Sequence, residues 1–170
     1  FQNIELFRGM TVLDNLMLAR HRNLTFSFLQ AVVYFGKASR LEAENRAVVE
    51  DVIDFMELEP YRKQTVGSMS YGIQKRVEVA RALTLGPQLL LLDEPMAGMN
   101  IEEKEDMLRF ILDIQKERDI TVVLVEHDLG VVMDISDRIY VLDFGQVIGF
   151  GRPEEVAANP QVIDAYIGEG

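Results

Sequence analysis

Residues 89–95 read Leu-Leu-Leu-Leu-Asp-Glu-Pro, and this heptapeptide constrains the fold more than any other stretch of the chain. Four consecutive leucines carry no period-2 alternation, the pattern of a central strand buried on both faces of a parallel sheet. Pro95 cannot donate to a sheet ladder, so the strand ends there. Asp93 and Glu94 are therefore expected at the strand's carboxyl end. In open α/β sheets ligands bind outside the carboxyl ends of the strands, and two acids placed there can hold a metal ion and orient or deprotonate a water. The plainer reading is a core strand whose acids cap the next segment.

The rest of the chain supplies the elements such a strand needs. Thr11 with Asp14 reads as a capping box opening an amphipathic helix through Val12, Leu13, Leu16 and Met17. A short apolar stretch, Phe26 to Tyr34, follows. Ser39 with Glu42 predicts a second helix start, after which Leu41, Val48, Val49, Val52, Phe55 and Met56 recur at helical spacing until the chain approaches Pro60. Residues 65–70 read as a linker, and a third helix is predicted over 71–85, stopped by Gly86-Pro87. From Leu89 the pattern becomes strand 89–93, helix 101–118, strand 121–125, short helix 129–135 and strand 138–142. Strands alternating with helices imply parallel βαβ units. A strand over 146–150 follows a turn at Phe144-Gly145, and two short helices near Glu154 and Val162 complete the pattern.

Composition narrows the function classes. With 48% hydrophobic and 26% charged residues in 170, the chain is one that builds a real core. It has no cysteine, which excludes disulfides and thiolate metal sites. A net charge of −11 argues against nucleic acid as a partner, since backbone-wrapping proteins carry a clustered basic face. No apolar run reaches the roughly 20 residues that span a bilayer.

Three further features align with the acidic strand end. Met69-Ser70-Tyr71-Gly72-Ile73-Gln74-Lys75-Arg76 puts a serine and a glycine at a helix start, where unpaired N–H groups and the helix dipole attract an anion. Ser70 reads there as a phosphate donor or as a plain N-cap. Ala97-Gly98-Met99-Asn100 is a short turn into a helix, with Asn100 and Glu103 as a capping pair. Finally, Glu126-His127-Asp128 closes the 121–125 strand, beside the first strand's acids if the sheet is parallel. His127 can hydrogen-bond a phosphate oxygen there, or serve as an ordinary surface or capping residue.

Taken together, these residues resemble the ATP-binding subunits of ABC transporters over the whole chain. Ser70 to Gln74 is similar to the family's signature sequence, Leu89 to Glu94 to its Walker B strand, Ala97 to Asn100 to its D-loop, His127 to its switch histidine, and Phe1-Gln2-Asn3 to its Q-loop. The chain departs from the commonest pattern at Tyr71, Ile73 and Asn100. The resemblance implies an α/β fold, the carboxyl portion of an ABC-type P-loop NTPase domain. Residues 1–86 would hold the Q-loop and a helical signature subdomain, and residues 87–170 the parallel-sheet core with Walker B, D-loop, switch and C-terminal helices. It implies ATP and Mg²⁺ as cofactors, with Asp93 supporting the metal, Glu94 polarising the attacking water and His127 contacting the γ-phosphate. Gln2 would sense metal and water, and Ser70, Gly72, Gln74 and Asn100 would serve the nucleotide, with Ser70 and Gly72 acting on ATP held by a second ATP-binding subunit. Positioning and charge stabilisation of this kind carry nearly all phosphoryl-transfer catalysis.

Within the family, Phe1 to His21, Leu124 to Asp128, Ile135 to Val141 and Asn159 to Glu169 resemble the ATPase subunits of high-affinity branched-chain amino-acid importers. That implies transmembrane permease subunits as partners and a peripheral position on the cytoplasmic face of the membrane. Two other readings stand beside it: an ABC ATPase acting on chromosomes or ribosomes, and a non-catalytic module offering Ser70 to another subunit's nucleotide. The pattern G-x-x-x-x-G-K-[ST] that cradles phosphates is missing. Gly36-Lys37 is the only Gly-Lys pair, with Ala31 and Ala38 where the motif needs glycine and serine or threonine. The phosphate cradle is accordingly expected upstream of Phe1, these residues alone are expected to be inactive, and an uncovered apolar sheet face is expected to drive self-association.

Overall fold

The computed structural model describes residues 6–21 and 35–167. Phe1, Gln2 and Asn3, expected from the resemblance to form a Q-loop, and the apolar stretch 26–34 lie outside the described residues. The chain forms two compact units, Phe1–Leu124 and Val125–Gly170.

The first unit begins with α1 (Val12–His21). As expected, Thr11 caps it: its Oγ1 accepts the Asp14 N–H at 3.1 Å and donates to the Asp14 carboxylate at 2.7 Å. α2 (Phe35–Phe55) already runs through Ser39, so the predicted start there is wrong. The Ser-x-x-Glu spacing also fits two side chains one turn apart inside a helix. Its Val49, Val52 and Ile53 are buried, along with Met56 just beyond its end. α2 closes with Leu58 N–H donating to the Ile53 carbonyl at 2.8 Å and Glu57 N–H to that of Asp54 at 3.0 Å. This Schellman arrangement puts Glu57 at φ 51°, where glycine is usual.

α3 (Tyr71–Leu83) buries Val77, Val79, Ala80 and Leu83, and packs against α1, α2 and α4 (Ile101–Arg118). It ends two residues before the predicted Leu85, because Gly86, at φ 66°, turns its N–H back to the Leu83 carbonyl at 2.9 Å. The Arg20 guanidinium also donates to the Thr84 carbonyl at 2.8 Å, satisfying an orphan acceptor of the last turn.

β1 (Leu89–Asp93) and β2 (Thr121–Val125) pair on either side of α4 in sequence. Thr121 N–H donates to the Gln88 carbonyl at 3.1 Å, so the two strands start side by side and run parallel. This is the expected βαβ unit. The expectation that the leucines are buried on both faces is not met: Leu90 and Leu92 are buried, whereas Leu89 and Leu91 are 51% and 61% exposed. Period-2 geometry sends alternate side chains to opposite faces, and α-helical cover reaches only one of them. Val123 and Val125 are similarly exposed on β2, so the uncovered apolar face anticipated from sequence is present.

In the second unit, α5 (Leu129–Ile135) precedes a hairpin of β3 (Ile139–Asp143) and β4 (Gln146–Gly151). The hairpin is antiparallel, as two strands joined by a tight turn must be, and the parallel pairing expected from strand-helix alternation is found between β1 and β2. Phe144 and Gly145, at φ 42° and 79°, form its two-residue turn, the backbone twist that tight hairpins require. α6 (Pro153–Ala157) and α7 (Pro160–Ile167) pack on the hairpin, where Ile139, Val156 and Val162 form a small core with Val132, Met133, Val141 and Ile148 around it. A Cβ at Gly149 would come within 2.7 Å of Val162, which is how closely α7 approaches the strand.

Candidate functional site

The turn into α3 is built to face an anion. Ser70 is the N-cap, its Oγ accepting the Ile73 N–H at 3.4 Å. The same hydroxyl donates to Oε1 of Glu103, 3.3 Å away on α4, and the Gly72 N–H donates to that oxygen at 3.2 Å. A Cβ at Gly72 would lie 2.5 Å from Oε1, so only glycine leaves room for the acceptor. Gln74 donates its side-chain amide to the Met69 carbonyl at 2.9 Å, which holds the turn in shape. Tyr71 lies against Gly98, where a Cβ would be 3.3 Å from the ring, and Lys75 sits 5.7 Å above that ring. Burial alone would lower the Lys75 pKa, but the hydrogen bond and charge of Glu78 outweigh it and leave it raised.

The turn after β1 leads directly to this contact. Asp93 ends the strand and Glu94 follows at φ 45°, a left-handed conformation that is uncommon for a non-glycine residue and costs of order 1 kcal/mol. Ala97 N–H donates to the Glu94 carbonyl at 3.2 Å, and Gly98 at φ 76° completes the turn. Asn100 then caps α4: its Oδ1 accepts the Glu103 N–H at 2.9 Å while Glu103 Oε2 accepts the Asn100 N–H at 3.2 Å. The capping pair expected from sequence is thus in place.

Arg76, farther along α3, and Arg109 of α4 lie over the buried Phe110 ring at 5.2 Å and 4.3 Å. Arg109 binds both Glu57 oxygens, at 2.9 and 3.1 Å, and this hydrogen-bonded pair lowers the Glu57 pKa and raises that of Arg109. Burial lowers the Arg76 pKa, and its Nε is buried without a hydrogen-bond partner among the described residues.

His127 belongs to the second unit, two residues beyond β2. Its side chain is 76% exposed, with Nδ1 3.9 Å from the carboxylate of the buried Glu126. The next residue, Asp128, caps α5 by accepting the Val131 N–H at 3.4 Å. The Tyr166 hydroxyl of α7 donates to the His127 carbonyl at 3.4 Å. α5, α6 and α7 also border an open apolar pocket of about 360 Å³ lined by Leu129, Met133, Val162 and Tyr166.

The structure therefore joins Ser70, Gly72 and Asn100 through one carboxylate and places Asp93 and Glu94 at the end of β1. Gln2 lies outside the described residues. Among the described residues there is no group of three or more histidine, cysteine or acidic side chains able to hold a metal ion. A lone aspartate is nonetheless the donor set Mg²⁺ takes when phosphates fill the rest of its shell.

The family profile described as ABC transporter matches residues 1–97, more than half of the chain. The chain belongs to the ABC transporter family. A second profile, for branched-chain amino acid ATP-binding cassette transporters, matches residues 146–170. The chain is 38% identical over 169 residues to the high-affinity branched-chain amino acid transport ATP-binding protein BraF of Pseudomonas aeruginosa, covering 99% of itself and 66% of that relative. It is 38% identical over 172 residues to LivG, the corresponding protein of Escherichia coli K12, again covering 66% of it. The chain thus spans just under two thirds of the length of these curated relatives. Among solved structures, the ADP conformation of MJ1267, an ATP-binding cassette of an ABC transporter, superposes with a TM-score of 0.79 at 31% identity, covering 99% of this chain and 66% of that one. CbiO1 of Clostridium perfringens, part of the ABC transporter complex cbiONQ, superposes at 0.75 with 25% identity, covering 97% and 59%. The α/β fold read from the sequence is that of this ABC family.

Three residues that hold these elements in place were not singled out by the sequence. Glu103 was read only as a capping partner of Asn100; its second contact, 31 residues back, has no local signal. Asn15, buried at 1% exposure, ties Phe7 to α1 through Oδ1 and Nδ2, and an asparagine inside an apolar stripe was its only hint. Tyr166 stood in the sequence only as part of the Asn159 to Glu169 stretch, and its contact with the His127 carbonyl has no local signal.

Proposed function

We propose that the chain is the signature, Walker B and switch portion of an ATP-hydrolysing subunit of an ABC importer for branched-chain amino acids. The observation that carries this is the acidic end of β1, where Asp93 closes a strand buried on one face and Glu94 is held in a left-handed turn that opens directly into the D-loop. Support for the substrate class comes from the branched-chain amino acid transport proteins BraF and LivG, which match nearly the whole chain. In this reading residues 1–86 form the Q-loop and signature subdomain, and residues 87–170 the catalytic core.

Asp93 would hold Mg²⁺ together with the nucleotide's phosphates, with Gln2 as a second contact, and the metal would neutralise charge on the transferred phosphoryl group. Glu94 accepts a proton from, and orients, the attacking water, while His127 donates a hydrogen bond to the γ-phosphate. Ser70 and Gly72 present a hydroxyl and an N–H to a phosphate oxygen of the nucleotide on the partner ATP-binding subunit; Gln74 and Asn100 hold the turns that aim them. The partners are that second ATP-binding subunit and the transmembrane permeases, which place the protein at the cytoplasmic membrane face. No helix among the described residues is long and apolar enough to cross the membrane itself.

A polypeptide of these 170 residues contains no phosphate-cradling glycine-lysine loop, so on its own it is proposed neither to hold MgATP tightly nor to hydrolyse it, and to self-associate through β1 and β2. The functional test is uptake of labelled leucine by cells lacking the gene and complemented with the intact protein. Wild type restores uptake and Glu94→Gln does not. Equal uptake in both, or none with wild type while other imported solutes depend on it, contradicts the proposal.

A further inference from the structure

We propose that Glu103 is an intramolecular stand-in for phosphate: its carboxylate occupies the anion position at the start of α3 and has to leave before Ser70 and Gly72 can engage a nucleotide. The inference rests on the reading of those two residues as phosphate contacts. Oε1 of Glu103 receives the Ser70 hydroxyl at 3.3 Å and the Gly72 N–H at 3.2 Å. A hydroxyl and a helix N-terminal N–H converging on one anionic oxygen is the donor geometry a phosphate oxygen would find. The missing side chain of Gly72 makes the space that this oxygen fills, since a Cβ there would stand 2.5 Å from it.

The contact is not local. Glu103 reaches Ser70 across 33 residues and Gly72 across 31. Its other oxygen accepts the Asn100 N–H at 3.2 Å, so one carboxylate closes the N-termini of α3 and α4 together. Both donors to Oε1 are neutral, leaving the carboxylate's charge in place at the site. An arriving phosphate therefore competes for the same two donors and is repelled by the group that holds them. When Glu103 swings away, the Asn100 N–H loses its acceptor as well, so phosphate arrival loosens the start of α4 at the D-loop. The contact thus makes signature engagement and D-loop release a single exchange.

The test is a titration of the ¹⁵N-labelled full chain with inorganic phosphate, following the Gly72 amide, in wild type, Glu103→Gln and Glu103→Asp. Glutamine preserves the capping box at the third helical position, and unchanged far-ultraviolet circular dichroism checks that α4 is intact. Glu103→Gln is expected to bind phosphate about tenfold tighter, the effect of replacing a charged competitor by a neutral one. Glu103→Asp, which withdraws the carboxylate by one methylene, should gain about threefold. Equal affinity in wild type and both variants overturns Glu103 as a competitor. No phosphate response at Gly72 in any of the three overturns the underlying reading of Ser70 and Gly72 as phosphate contacts, and with it this inference.

Discussion

Replacing Asn15 by alanine should cost about 2–3 kcal/mol, most of it from a single orphaned N–H. Asn15 is 1% exposed and makes four hydrogen bonds: it accepts the Phe7 N–H at 2.9 Å and donates to the carbonyls of Phe7, Met10 and Thr11. Those carbonyls keep other donors in the variant, from Met10, Val66 and Asn15's own backbone N–H, respectively. The Phe7 N–H alone loses its acceptor outright. An unsatisfied part-buried N–H costs about 1–3 kcal/mol, and the three weakened carbonyl bonds with the small void add the remainder. Asn15→Asp separates the two halves of the contact. Its carboxylate can still accept from Phe7, but its second oxygen faces three carbonyls, so at neutral pH it should destabilise more than alanine, and less as the pH falls. Urea denaturation of the three proteins measures the cost, and amide exchange at Phe7 localises it. A loss below about 0.5 kcal/mol for Asn15→Ala, or a milder effect of aspartate than of alanine at pH 7, would refute this account of how the segment around Phe7 is anchored.

Two further outcomes follow from the same structure. The Glu57 pKa lies below its ordinary 4.5 because Arg109 hydrogen-bonds it, so the pair stabilises the fold fully above that value and the contribution is lost as pH falls through the lowered pKa. Glu57→Gln, which keeps the left-handed backbone, should cost about 0.5 kcal/mol at pH 7 after solvent screening and nothing near the acid end of the titration; a difference that persists there would contradict it. On β1, Leu91 is 61% exposed beside Val123 at 47%, and the double change Leu91→Lys, Val123→Lys should weaken self-association of the chain at least about tenfold by removing two apolar side chains from the contact. Light scattering that shows wild type already monomeric at high concentration, or the variant associating equally, would count against that face as the contact.

What the sequence revealed was whatever local periodicity and turn chemistry determine. The apolar spacing of α4, the Thr11 and Asn100 caps and the Phe144-Gly145 turn each follow from residues within a few positions of one another, and the structure agrees with them. Leu89 and Leu91 were misread because a run of leucines reports apolarity, while burial depends on what covers each face of a strand. Ser39 was misread because a Ser-x-x-Glu spacing fits a helix interior as well as its start. At the candidate site, the places of Ser70 at the start of α3, Asp93 at the end of β1 and Asn100 at the start of α4 were readable from spacing, but the link among Ser70, Gly72 and Asn100 was not. Glu103 joins α3 to α4 through contacts more than 30 residues apart in sequence, and Asn15 is buried by packing that no local window contains.

The central claim is that Glu94 acts on the water that attacks ATP, with Asp93 holding the metal. Its most direct test is ATP turnover and sedimentation of the intact protein carrying Glu94→Gln, in the presence of MgATP. The account predicts that hydrolysis falls at least about a hundredfold, within the span that general acid–base catalysis contributes, while an ATP-bound dimer accumulates because binding is spared. Turnover within a few-fold of wild type, with no accumulated dimer, would contradict it.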